Sequence, residues 1–177
     1  MSETQEPQPV PADTKNWVAV LDKGCEQCGW QPFEPRETAA RLSDAALRWE
    51  GVLEGDDVSM RPDPLVWSPV EYACHVRDLL QLLADRVEAI LSEDDPEFAN
   101  YDGDAAAVEQ RTWASDPLVV SREIAEATQR AVAELKAVGA DDWQRPGHRG
   151  DGVSFTLGSL CQFKVHEAEH HLWDVEV

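Results

Sequence analysis

The sequence predicts an all-α protein built as a four-helix bundle, and three observations carry that reading. Four stretches place apolar residues at steps of three and four, the signature of a helix with one buried face. Two of the four open on a side-chain cap followed by proline, a helix-start signal. Nowhere do apolar and polar residues alternate over the length of a strand.

At 177 residues the chain has the length of one domain. Fifteen basic residues against 35 acidic ones give a formal charge of -20. That excludes nucleic acid as a partner, because phosphate binding requires Lys and Arg to displace counterions. It equally excludes an anionic membrane surface. No apolar run approaches the roughly 18 residues of a membrane span. The opening MSETQEPQPVPADTK has neither a basic region nor an apolar one, so it does not read as an export signal. The four cysteines are therefore expected to be reduced, in the cytoplasm. Residues 1–16 read as a flexible tail and residues 17–177 as the bundle domain.

After the apolar run WVAVL comes Cys25-x-x-Cys28-Gly29, the shape of half a zinc knuckle. A closed structural site needs four ligands and no second Cys pair follows, so the two are read as reduced thiols in a tight turn. The first helix is expected over about Arg36–Leu53, between Pro35 and Gly55, with Leu42, Ala46, Trp49 and Leu53 on its apolar stripe. The second begins at Ser68-Pro69-Val70-Glu71, a capping box with proline at the first helical position, and runs to about Leu91. His75 lies at the edge of its stripe, with Glu71 one turn before and Asp78 one turn after. Residues 92–116 form a long connection, which in a small helical domain is either functional or a crossover. The third helix opens on Asp116-Pro117 and ends at Gly139. The fourth begins after Thr156. The four read as an antiparallel or a crossover bundle.

The fourth helix carries VHEAEHHLWDV. His166 and His170, four residues apart, point the same way and can hold one metal ion. His171 is turned about 100 degrees from its neighbour and cannot join them. His148 sits in a Gly-rich loop. His75 is therefore the best third ligand, and His75, His166 and His170 the best triad, with side chains converging from facing helices. Three imidazoles with room for water or substrate describe an open, catalytic site. Zinc suits this donor set best and nickel next. Glu71, Asp78 and Asp174 are candidates to orient the rings. Cys74 and Cys161 read as small core residues.

The segments CEQCGW, VWSPVEYACHVRD, EDDPEFANYDGD and GDGVSFTLGSLCQFKVHEAEHHLWDV, in this order, resemble an actinobacterial branch of the DinB/YfiT-like superfamily. That group includes mycothiol-dependent maleylpyruvate isomerases and thiol S-transferases. The resemblance implies an up-down-down-up bundle with the long crossover between helices 2 and 3. It also implies a divalent metal on His75, His166 and His170, and a homodimer. The expected activity is that of a metal-dependent thiol S-transferase or thiol-assisted isomerase. A low-molecular-weight thiol of the mycothiol type is the expected cosubstrate, acting on a small electrophile, with Glu71 or Asp78 as catalytic groups. Two other readings stand beside it: a hydrolase using metal-bound water, and a non-catalytic metal-binding bundle. Arg77, Arg149 and Lys164 are the candidates for gripping a carboxylate on the substrate.

Overall fold

Four long helices carry the core, and each begins where the sequence supplies a start signal. The computed structural model describes residues 6–176. A 3-10 turn (Trp17–Ala19) leads into the single turn α1 (Val20–Lys23), and another (Pro35–Glu37) into α2 (Thr38–Leu53). The buried residues of α2, Leu42, Ala45, Trp49 and Leu53, recur at steps of three and four. α3 (Pro69–Ser92) starts on the expected capping box. The Ser68 hydroxyl accepts from the Glu71 N–H, and the Glu71 carboxylate accepts from the Ser68 N–H at 2.8 Å. α5 (Pro117–Leu135) starts on Asp116, whose carboxylate accepts from the Leu118 N–H. It stops at Leu135, short of the Gly139 that the sequence suggested, and the chain leaves through turns. α6 (Leu157–Glu176) follows Thr156, whose hydroxyl accepts from the Ser159 N–H.

The four helices form a square. α2 and α3 each pack along both α5 and α6 and meet one another little, so they stand on a diagonal. Apolar faces from all four meet in one core. Trp49 of α2 is fully buried, and its indole N–H donates to the Ala168 carbonyl at 3.2 Å. Ala168 lies between His166 and His170 on α6. The core thus props the back of the stretch that carries the histidine pair. Cys74 and Cys161 are buried in the same core, as expected.

The connection from α3 to α5 is not bare loop. It holds β1 (Glu97–Phe98), α4 (Gly103–Gln110) and a 3-10 turn (Thr112–Ala114). β1 pairs in parallel with β2 (Pro146–Arg149), and β2 pairs antiparallel with β3 (Ser154–Thr156). This small sheet corrects the expectation of no strand. Its strands run two to four residues, too short for alternation to show. The sheet ties the crossover to the loop that launches α6, and α4 lies against α3. Among the described residues no helix is long and apolar enough to cross a membrane.

Candidate metal centre and its cavity

The turn after α1 has the geometry of a metal knuckle. The Gly29 N–H donates to the Cys25 carbonyl at 2.9 Å, and the Cys25 N–H donates to the Trp30 carbonyl at 2.8 Å. Gly29 has φ +76, in the left-handed region that a side chain disfavours, so the tight turn needs glycine there. Both cysteines are free thiols. α1 lies on α6, which brings this turn over the histidine pair.

The result is a cluster of four. One donor atom from each of Cys25, Cys28, His166 and His170 lies within 4.8 Å of all the others. The imidazole rings of the pair are 5.1 Å apart, and the Cys25 sulfur is 3.7 Å from Nδ1 of His170. Both ring nitrogens of His166 are buried without a hydrogen-bond partner among the described residues. Such orphaned atoms are rare unless something ligates them. Two thiols and two imidazoles around one point are a zinc donor set. The protonation states agree for the rings. Burial first, then His170 and His171, pushes His166 down to about 3, and burial also lowers His170, so both are the neutral form that binds metal. Burial, reinforced by Cys25, pushes the Cys28 thiol up to about 11, although the Trp30 backbone N–H pulls it down. A cation bound there would hold it as thiolate instead. These residues fit a zinc ion.

Asp174, one turn beyond His170, ties this cluster to its neighbour. Its Oδ1 is 3.7 Å from Nε2 of His170, and its Oδ2 is 2.8 Å from Nδ1 of His171. A carboxylate behind a ligating imidazole fixes ring orientation and tautomer. His171 points away from the cluster, as its position on the helix requires. Its ring meets those of Tyr72 at 5.2 Å and His75 at 5.1 Å.

Sequence reasoning placed His166 and His170 together, and the structure does so. His75 is not one of the four clustered residues; its ring lies against His171, Trp67 and Tyr101. Nδ1 of His75 is buried without a partner among the described residues. Burial above all, with His171 and Lys164, keeps its pKa well below the ordinary value. Gly103 at the start of α4 allows the close approach: a Cβ there would lie 2.7 Å from the ring.

The three histidines do line one cavity of about 400 Å³, within the range of small-molecule sites. The floor at the metal end is the His166–His170 pair, with the Trp17 ring 4.7 Å from His170. Part of the expected tail reaches it. Val10, Pro11 and Asp13 line the cavity, Asp13 accepts from the Trp17 indole at 2.7 Å, and the Gln8 carbonyl accepts from Arg61. Residues 1–5 lie outside the described residues.

Glu71 and Asp78, the catalytic groups expected from sequence, are not among the residues lining this cavity. Glu71 is 1% exposed and accepts from Arg61 at 2.8 Å and from Ser68. Asp78 pairs with Arg77 and accepts from the Tyr101 hydroxyl at 3.0 Å and from Gln110. The basic candidates are engaged too: Arg77 with Asp78 and Glu123, Arg149 with Asp151, Lys164 with Glu167.

What the sequence reading missed is the partnership of Cys25 and Cys28. The signal was present: Cys-x-x-Cys and His-x-x-x-His are the two halves of a Cys₂His₂ zinc set. Cys25 and His170 are 145 residues apart in the chain, so nothing local joins the halves.

Comparison with known proteins agrees with this architecture. The DinB superfamily model matches residues 10–175. No curated protein matches the chain significantly in sequence. Among solved structures, YfiT from Bacillus subtilis is similar, with a TM-score of 0.63 and 20% identity, over 98% of this chain and 91% of that one. YfiT is described as a probable metal-dependent hydrolase with an unusual four-helix bundle topology.

Proposed function

The chain belongs to the DinB superfamily, and from that premise we propose that it is a zinc-dependent protein that activates a nucleophile in the cavity beside the Cys₂His₂ cluster. The observation that carries this is the convergence of Cys25, Cys28, His166 and His170 at the edge of that cavity. Four protein donors fill a tetrahedral shell, so the cation's part is to fix the cavity wall and keep the two cysteines as thiolates. The thiolate pair favours zinc over nickel. Thiol ligands require a reducing compartment, in keeping with a cytoplasmic protein.

The proton chemistry then falls to His171. Donation of its Nδ1–H to Asp174 leaves Nε2 as the acceptor, the arrangement of an oriented general base. In the first reading the nucleophile is a small thiol of the mycothiol type. His171 takes the S–H proton, the sulfur attacks a small electrophile, and His171 returns the proton to the product or leaving group. In the second reading water takes the thiol's place, and the likeness to YfiT, a probable metal-dependent hydrolase, favours it. The expected homodimer would cover the outer face of α2 and α5, where Leu47 and Leu118 are exposed.

The test is turnover by zinc-loaded protein, with a panel of small thiols and electrophiles and, separately, with hydrolysable esters and amides without thiol. Either activity should fall about 10²–10⁴-fold in His171→Gln while zinc content stays unchanged. No turnover in either assay, or full activity in the variant, refutes the proposal.

A further inference from the structure

Beside the metal cluster, four rings that line the cavity form a closed circuit. Trp67 meets Tyr72 at 5.4 Å, Tyr72 meets His171 at 5.2 Å, His171 meets His75 at 5.1 Å, and His75 meets Trp67 at 5.6 Å. All four line the cavity. The faces of the Trp67 and Tyr72 rings are electron-rich and attract cations. One instance is already present at this cavity: the Lys15 ammonium sits 3.9 Å over the ring of Trp17, itself a lining residue.

The charge of the cavity points the same way. Its lining includes no Lys or Arg but four carboxylates, Asp13, Asp104, Glu167 and Asp174. Glu167 is paired with Lys164, and Asp174 faces His170 and His171. Asp13 accepts from the Trp17 indole and the Lys15 backbone N–H, and Asp104 makes no ion pair among the described residues. Every influence on Asp104 raises its pKa: burial first, then Asp102 and Asp13. The Tyr72 hydroxyl is pushed up to about 12 by burial, then by Asp174, Glu71 and Asp13. A zinc ion on two thiolates and two neutral imidazoles has no net charge, so it leaves this field intact. The chain's charge of -20 draws cations toward it.

We propose that the cavity takes a small organic cation, a protonated amine or a quaternary ammonium, seated on the rings of Trp67, Tyr72, His75 and His171 and facing Asp104. This rests on the cavity being the small-molecule site and names the charge of what enters it. It disfavours carboxylate-bearing substrates, because the lining carries four carboxylates and the ammonium nearby, that of Lys15, already sits over the Trp17 ring.

Calorimetry on the full-length, zinc-loaded protein tests it with two matched pairs. Choline is compared with its uncharged carbon isostere 3,3-dimethylbutan-1-ol, and 2-phenylethylammonium with 2-phenylethanol. 3,3-Dimethylbutanoate serves as the anion. At least one cation should bind about tenfold more tightly than its neutral partner, with the preference shrinking as salt rises, and the anion should not bind. Trp67→Leu and Asp104→Asn should each weaken the cation by about three- to tenfold. Asp104→Asn should leave the neutral partner unchanged. Zinc content and circular dichroism show whether each variant is folded. If Trp67→Leu is not, Asp104→Asn, at the partly exposed start of α4, decides. Equal binding of cation and neutral partner, absence of cation binding, or binding of the anion overturns the proposal. If the four ligands hold zinc and no cation is preferred, the charge assignment alone fails. If zinc is absent or held elsewhere, the metal reading fails first.

Discussion

Cys28→Ser and His170→Ala are each expected to release the metal and to lower stability by about 4 kcal/mol, when metal is supplied at roughly a thousandfold its Kd. The four donors come from the knuckle near the start of the chain and from the last helix, so a bound ion clamps its two ends together. A ligand that binds the folded state alone stabilises by mass action, and a structural zinc ion is such a ligand. In a domain of this size the unfolding midpoint shifts by about 2–4 °C per kcal/mol, so a fall of about 8–16 °C is expected. Chelation should lower the wild-type midpoint equally and leave the variants where they are. His75→Ala should keep its metal. If it loses metal while Cys28→Ser does not, the three-histidine site expected from the sequence holds the ion instead.

Arg61→Ala should cost about 3–5 kcal/mol at neutral pH, because it strands a buried charge. The Glu71 carboxylate is 1% exposed, and its partner Arg61 sits in a 13% exposed side-chain position. Burial alone would raise the Glu71 pKa, but hydrogen bonds from Arg61 and Ser68, with the Arg61 charge, outweigh it and hold the group below its ordinary 4.5. A carboxyl depressed on folding contributes stability that is present above its unfolded pKa and is lost as pH falls through the folded one. Wild type should therefore lose this contribution on acidification below about pH 4.5. In Arg61→Ala burial still raises the Glu71 pKa while the lowering from Arg61 is gone, so the folded pKa lies higher than in wild type. That variant should gain stability relative to wild type as pH falls, and the gap between the two should narrow. Urea unfolding at several pH values measures this. A gap that stays constant or widens toward acid contradicts it.

The helices were legible because their signals are local. Ser68-Pro69-Val70-Glu71 fixes the start of α3 through bonds within one turn, and Asp116-Pro117 does the same for α5. The three short strands left no trace, since each is too brief to alternate, and β1 finds its partner β2 only about 50 residues further along the chain. The candidate site was half legible. His166 and His170 declare themselves by helical spacing, but their cysteine partners come from a turn that only tertiary packing delivers. Asp174 was legible as a ring-orienting group. The pairing of His171 with His75 was not, because each looked toward a helix flank whose neighbour the sequence does not name.

X-ray absorption at the zinc edge of the purified protein tests the central claim most directly. A Cys₂His₂ site predicts two sulfur neighbours at about 2.3 Å and two nitrogens at about 2.0–2.1 Å, with the sulfur signal reduced in Cys25→Ser. A shell of nitrogen and oxygen alone, the same in wild type and Cys25→Ser, would contradict it.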